Sequence, residues 1–342
     1  MALSPPFLFI WMKGVVFRNT GSSYIVRTES GDFWECKIKG NFRIKGIKST
    51  NPVAVGDFVE FKELPNSEGL ISNICDRKNY IVRKPSNLSK QLHIIAANVD
   101  QAMLTVTIAH PETSTVFIDR FLATCEAYSV PAVIVINKCD LYDEGETEYM
   151  KALVTLYESI GYKCHITSAL TGEGVEEVRN ALKGKTTLFS GNSGVGKSSL
   201  INAISPDFAA RTGEISSVHD TGMHTTTFSE MYQLEEDTFI IDTPGVKGFG
   251  TIGFDKYEVG HFFPEIFKHS ESCKFGNCTH THEPGCAVRE AVEQHYISES
   301  RYTSYLNILE DENETKYREK LYPKAPRTQP IRSRRRYCAP RR

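Results

Sequence analysis

No run of about 18 apolar residues occurs anywhere in this 342-residue chain, so no segment is expected to cross a membrane as a helix. The apolar start, Met1–Trp11, lacks both a basic leader and a small-residue cleavage site. A secretory signal is therefore not expected, and a cytoplasmic location is. An even set of cysteines is also missing: there are nine, and three crowd into Cys273–Cys286. That pattern excludes a disulfide framework and favours reduced thiols with one metal site. With 40% hydrophobic and 24% charged residues, and Phe, Tyr, Val, Ile and Leu recurring along the chain, disorder is not expected as its main state.

A net charge of −2 conceals an asymmetry. Residues 1–94 carry 14 Lys/Arg against 8 Asp/Glu, and residues 327–342 carry seven Arg and no acid, so the middle of the chain is strongly acidic. Basic ends suggest a polyanionic partner touched by the flanks, although a solvated tail would look the same. The length allows two or three domains.

From Gly14 to Cys75 the pattern is short and alternating. Val15–Arg18, Ser23–Arg27, Phe33–Ile38, Asp57–Lys62 and Leu70–Ile74 read as strands separated by turn-formers such as Ser30-Gly31-Asp32. Five strands in so few residues suit a small closed barrel of the OB type, with residues 1–11 as an extension. Phe17, Tyr24, Phe33 and Trp34 are candidates to stack bases, or equally to fill the core. A linker over 81–98 precedes a change of period. Strands at Ala102–Ile108, Ala132–Ile136, Lys163–Ile166 and Thr186–Ser190 alternate with helices at Val116–Tyr128, Glu146–Ile160 and Val175–Leu182. That rhythm means a mostly parallel sheet covered on both faces, an α/β domain.

Gly191-Asn192-Ser193-Gly194-Val195-Gly196-Lys197-Ser198, followed by Ser199, matches the phosphate-loop pattern between a strand and a helix. Its glycines let backbone N–H groups turn toward phosphate oxygens, Lys197 reaches the β- and γ-phosphates, and the Ser198 hydroxyl suits Mg²⁺. The strand Phe239–Asp242 ends in Asp242-Thr243-Pro244-Gly245, where Asp242 suits the Mg²⁺ shell and the Gly245 N–H the γ-phosphate. Asn137-Lys138-Cys139-Asp140 names the base. The Asp140 carboxylate can accept from guanine N1–H and its 2-amino group, donors that adenine does not present there. Lys138 can lie along the ring, Asn137 can brace the loop, and Thr167-Ser168-Ala169 can offer N–H groups to guanine O6.

These motifs stand in an unusual order: the guanine motifs precede the phosphate loop, which precedes the aspartate motif. A chain cut before its base-binding half, with its old ends joined, can still build the same pocket. In this order and with these flanks the sequence resembles the ribosome small-subunit-dependent GTPase A family. The resemblance implies a circularly permuted P-loop GTPase domain (99–250) flanked by an N-terminal all-β OB barrel (1–80) and a C-terminal, mainly α, zinc-binding domain (251–326) before a basic tail (327–342). It also implies GTP hydrolysis to GDP, late maturation of the 30S subunit, and contact with 16S rRNA through the barrel and zinc domain, by a monomer.

Between the phosphate loop and the aspartate motif lies Thr221-Gly222-Met223-His224-Thr225-Thr226-Thr227. One threonine here should close over the γ-phosphate and Mg²⁺, and the resemblance favours Thr225 or Thr226. Family members often carry Arg just before the histidine, where this chain has Met223. Val246 stands where many GTPases place a water-orienting glutamine, so unaided hydrolysis should be slow, with His224 the candidate to position the water. Cys273, Cys278, His280 and Cys286 supply a closed tetrahedral Zn²⁺ set, structural and not catalytic; His282 is an alternative, but the resemblance places the ligand at His280. Two rival readings remain: an RNA-binding assembly protein that holds GTP as a structural ligand, and an ATPase, which Asp140 disfavours.

Overall fold

The computed structural model describes residues 11–21, 23–38, 52–64, 67–83, 93–206, 229–242 and 255–321. The switch residues His224, Thr225 and Thr226, together with Gly245, Val246 and the arginine tail, lie outside them.

Five strands, β1 (Trp11–Asn19), β2 (Tyr24–Thr28), β3 (Phe33–Ile38), β4 (Phe58–Glu63) and β5 (Gly69–Ile74), follow one another in the order β1-β2-β3-β5-β4, and β4 returns to pair with β1. The sheet closes, with β3 and β5 parallel and the other pairs antiparallel, as in an OB barrel. Inward residues alternate along the strands: Val16, Tyr24, Val26, Val59, Phe61 and Ile71 form its core. β1 is longer than its sequence pattern suggests, because Trp11 and Met12 already pair with Lys62 and Phe61. Of the four aromatic candidates, Tyr24 and Phe17 are core residues, 1% and 7% exposed, whereas Phe33 stands out at 61%. Trp34 packs partly buried against the barrel core.

The stretch read as a linker contains β6 (Tyr80–Arg83) and β7 (His93–Ala97), which pair antiparallel as a separate two-stranded sheet. Beyond it come β8 (Gln101–Val106), α1 (Thr115–Ala127), β9 (Ala132–Ile136), α2 (Glu144–Ile160), β10 (Lys163–Ile166), α3 (Val175–Leu182), β11 (Thr186–Ser190), α4 (Lys197–Ile204), β12 (Glu230–Glu235) and β13 (Thr238–Asp242). Strands β10, β9, β8, β11 and β13 are parallel neighbours in that order, and β12 adds an antiparallel edge. Every residue of β8 is buried, as expected for a central strand covered on both faces. On one face Leu104, Ile134 and Ile241 meet Phe121 and Leu122 of α1 and Leu153 and Tyr157 of α2. On the other, Met103, Val135 and Phe189 meet Val178 of α3 and Leu200 of α4. Helix α2 starts two residues earlier than its apolar period suggests. Asp143 accepts from the Glu146 N–H at 2.8 Å while the Glu146 carboxylate accepts from the Asp143 N–H, a capping box.

Strand β12 also reaches the barrel, pairing with β1 at Arg18↔Glu230, so barrel and α/β domain share one eleven-stranded sheet. The final segment holds α5 (Pro264–Ser270), α6 (Ala287–Glu293) and α7 (Glu299–Leu321). Its core of Val259, Phe263, Ile266, Val288, Tyr305 and Ile308 extends onto Ala123 of α1. Among the described residues no helix is long and apolar enough to cross a membrane.

Candidate functional site: a guanine-nucleotide pocket and a cysteine–histidine centre

Parallel neighbours bring their carboxyl ends to one edge of the sheet, and the loops that leave there share a crevice. The pairs Ile166↔Ile136, Val106↔Ile136 and Phe189↔Asp242 set that edge. Asn137 therefore leaves β9, Thr167 leaves β10, Gly191 leaves β11, and Asp242 ends β13, all on the same side.

Asn137 binds these loops together. Its Nδ2 donates to the Val195 carbonyl of the phosphate loop at 2.9 Å. Its Oδ1 accepts from the Thr167 hydroxyl and from the Ala169 N–H, each at 3.1 Å. The three partner groups belong to two loops far from Asn137 in sequence and none to a regular element, so one 1%-exposed amide fixes the spacing of three loops. Ser168, also buried, gives its N–H to the Glu173 carbonyl at 2.9 Å, and its Oγ accepts from the Thr171 N–H. The two N–H groups expected to face guanine O6 are thus used to shape the loop in this arrangement. Asp140 sits exposed on the short turn Cys139–Leu141, free to meet a base edge. Lys138 has a left-handed backbone (φ 67°), and its ammonium donates to the His110 carbonyl at 2.6 Å. Burial pushes the Cys139 thiol up to about 11, so it is not a nucleophile at neutral pH.

The phosphate loop curls around Lys197, whose ammonium donates to the carbonyls of Gly191 (2.7 Å) and Asn192 (2.9 Å). Burial lowers the Lys197 pKa, and the charge of Asp242 works against that shift, which places the lysine and the carboxylate in one electrostatic site. Gly191 requires its missing side chain: a β-carbon there would stand 2.3 Å from the Thr105 carbonyl oxygen. Ser193, Gly194, Ser198 and Ser199 line the exposed side of the loop and the first turn of α4, with Val195 buried beneath. Two hard oxygen groups, the Ser198 hydroxyl and the Asp242 carboxylate, are of the kind that holds Mg²⁺.

The second cluster is Cys273, Cys278, His280 and Cys286, whose ligand atoms all lie within 4.8 Å of one another. His280 Nδ1 lies 3.6 Å from Cys273 Sγ and 3.5 Å from Cys286 Sγ, and the two sulfurs are 3.9 Å apart. A tetrahedral zinc with ~2.3 Å Zn–S and ~2.0 Å Zn–N bonds implies edges of about 3.5–3.8 Å, so the donor set fits that ion. The supporting groups are also present. The Tyr302 and Tyr305 hydroxyls donate to the carbonyls of His280 (2.6 Å) and Thr279 (2.7 Å). Glu283 accepts from the N–H groups of Thr279, Thr281 and His282 and from the Thr279 hydroxyl, bonds that hold its carboxyl well below the usual range. His282 is exposed and bonds Thr281, outside the cluster.

Sequence reasoning missed the joint that fixes this module. Arg301 of α7, 1% exposed, donates to Asp119 of α1 at 2.7 Å and makes a two-point contact with Glu265 of α5 at 2.6 and 3.1 Å. Its guanidinium lies 4.6 Å over the Phe263 ring, and Tyr157 of α2 donates to the same Asp119 oxygen at 2.9 Å. Two isolated acids and one arginine in helical stretches carry no motif that would announce them.

Comparison with known proteins agrees with this geometry. A family model described as RsgA GTPase matches residues 74–252, and one described as RsgA N-terminal domain matches residues 13–71. The small ribosomal subunit biogenesis GTPase RsgA of Bacteroides fragilis is 64% identical over 309 residues, covering 90% of this chain and 99% of its own length. That of Porphyromonas gingivalis is 56% identical over 314 residues, with the same coverages. Among solved structures, YjeQ from Thermotoga maritima superposes with a TM-score of 0.71 at 35% identity, covering 89% of this chain and 99% of its own. YloQ, described as a circularly permuted GTPase, gives 0.68 at 30% identity, covering 92% and 99%. With its motif order, its closed barrel and its cysteine–histidine centre, the chain belongs to the RsgA GTPase family.

Proposed function

We propose that this protein hydrolyses GTP to GDP in the cytoplasm during late maturation of the small ribosomal subunit, acting as a monomer that binds 16S rRNA through its barrel (1–80) and its zinc domain (251–326). The observation that carries the nucleotide reading is Asn137, which ties the guanine loop to the phosphate loop. Relatives named for small-subunit biogenesis, at 64% identity, support the partner. The basic barrel and the arginine-rich tail (327–342) suit a polyanion.

In this reading Asp140 pairs with guanine N1–H and the 2-amino group, while Lys138 lies along the base. Asn137, Ser168 and Ala169 hold the loops that frame it. Backbone N–H groups of Gly191–Ser199 receive the phosphates, and Lys197 exchanges its loop carbonyls for the β- and γ-phosphate oxygens. Ser198 and Asp242 would hold Mg²⁺, which when bound neutralises phosphate charge. The Gly245 N–H meets the γ-phosphate, Thr225 or Thr226 closes over it, and His224 orients the attacking water in place of the glutamine replaced by Val246. Cys273, Cys278, His280 and Cys286 hold one structural zinc.

The deciding experiment is multiple-turnover GTP hydrolysis with and without purified 30S subunits. Strong stimulation is expected. Absence of stimulation, with tight GTP binding, would favour a binding protein for which GTP is only a structural ligand.

A further inference from the structure

The loop between β8 and α1 belongs to none of the nucleotide motifs, yet it borders their pocket on a third side. Its His110 carbonyl receives the Lys138 ammonium, and a β-carbon on Gly194 would lie 3.4 Å from Pro111 Cδ. The loop thus touches both the guanine loop and the phosphate loop. Two buried threonines hold its shape. The Thr113 N–H donates to the Thr107 carbonyl at 3.0 Å, the Thr107 N–H to Thr113 Oγ1 at 3.2 Å, and the Thr107 hydroxyl to the Pro111 carbonyl.

One side chain connects this loop to the guanine loop. Tyr142 lies just beyond Asp140, half-buried, and its hydroxyl accepts from the Ile108 N–H at 3.0 Å while donating to the Asn137 carbonyl. A phenol both donates and accepts, so one oxygen satisfies two backbone groups from different loops. Burial pushes its pKa up to about 12, so the proton it donates is present throughout the physiological range. The turn that carries Asp140 is anchored at its start by the Asn137 side chain and just past its end by this hydroxyl.

We propose that the Tyr142 hydroxyl is a positioning group for guanine nucleotides: by joining Ile108 to Asn137 it fixes the 107–113 loop against the guanine loop and sets where Asp140 and Lys138 stand relative to the phosphate loop. This rests on the GTP-binding reading above. Removing the oxygen leaves a backbone donor and a backbone acceptor to find new partners, and the turn bearing Asp140 shifts with them.

The test uses the full chain with Tyr142→Phe, measuring GDP and inosine diphosphate affinity, GDP dissociation and steady-state GTP hydrolysis. Inosine lacks the 2-amino group, so the GDP-to-IDP ratio reads Asp140 placement directly. GDP affinity is expected to fall about tenfold, mainly through faster dissociation. The preference for GDP over IDP is expected to shrink at least ~3-fold, with kcat at saturating GTP within about twofold. A hydroxyl that serves folding alone would lower the unfolding temperature of the nucleotide-free protein and leave the GDP-to-IDP ratio and the dissociation rate at wild-type values; that result overturns the proposal. Should Tyr142→Phe fail to fold, Thr107→Val, which removes the hydroxyl bond to Pro111 beside Ile108 and so loosens the loop that Tyr142 holds, takes its place, and a wild-type ratio there overturns the proposal. Failure of the underlying reading looks different: the unmodified chain would bind no GDP, or would bind ADP as well.

Discussion

The side-chain amide of Asn137 occupies the space above Gly196: a β-carbon on that glycine would stand 2.5 Å from Asn137 Nδ2. The glycine also has φ +89°, a conformation that L side chains rarely adopt. Phosphate loop and guanine loop are thus in contact through an amide on one and a missing side chain on the other. Gly196→Ala must displace either the amide or the loop. It is expected to weaken GDP binding by at least about a hundredfold, measured by calorimetry, while far-UV circular dichroism stays unchanged.

In the proposed reading base choice falls to Asp140, an exposed carboxylate with no hydrogen-bond partner among the described residues. Asp140→Asn converts an acceptor pair into one donor and one acceptor, which suits xanthine and opposes guanine. GTP affinity is expected to drop by about 10²–10⁴-fold, with XTP binding gained. An unchanged nucleotide preference in competition binding would show that Asp140 does not read the base.

The cysteine–histidine centre predicts a stoichiometry. Purified protein should contain one zinc per chain by elemental analysis, and Cys286→Ser should lose it. Because burial raises the Cys278 and Cys286 thiols, a cation is needed to keep them as thiolates. Chelation is therefore expected to lower the unfolding temperature of residues 255–321 and leave nucleotide affinity within a few fold.

Arg301 ties α7 to α1 and α5 through a buried ion-pair network. Removing one member of a buried ion pair leaves the other without compensation, at a cost of about 3–5 kcal/mol. Arg301→Met is expected to destabilise by that order in urea unfolding. Combined with Asp119→Asn the loss should be clearly smaller than the sum, as a double-mutant cycle requires of contacting partners.

The nucleotide pocket was legible because its residues sit at strand ends in consecutive motifs, and the parallel sheet carries every strand end to one edge. Cysteine spacing likewise pointed to the three thiols and one imidazole that the fold brings together. What the sequence hid were contacts whose partners have no fixed spacing. Asp119 and Arg301 are far apart in the chain and individually ordinary, and Tyr142 reads as one more half-buried aromatic. Strand β12 was not anticipated because Glu230–Glu235 alternates weakly; antiparallel pairing along β13, with one further pair to Arg18 of the barrel, decides its conformation. Among the barrel aromatics, alternation alone did not separate Tyr24 inside from Phe33 outside, since that depends on the β2–β3 register, which pairs Tyr24 with buried Cys36 and Phe33 with Arg27.

The two flanking modules are mounted on different parts of the engine. Arg301 joins the helices that carry the cysteine–histidine cluster to the flank of α1, whereas the barrel is seated elsewhere on the domain, pairing with β12 at Arg18, packing Phe17 against Phe239 of β13 and accepting the Ala97 N–H at the Val55 carbonyl. Barrel and helical module therefore grip the α/β domain through separate sets of contacts, so that loosening one mount by substitution at Arg301 is expected to leave the seating of the other intact.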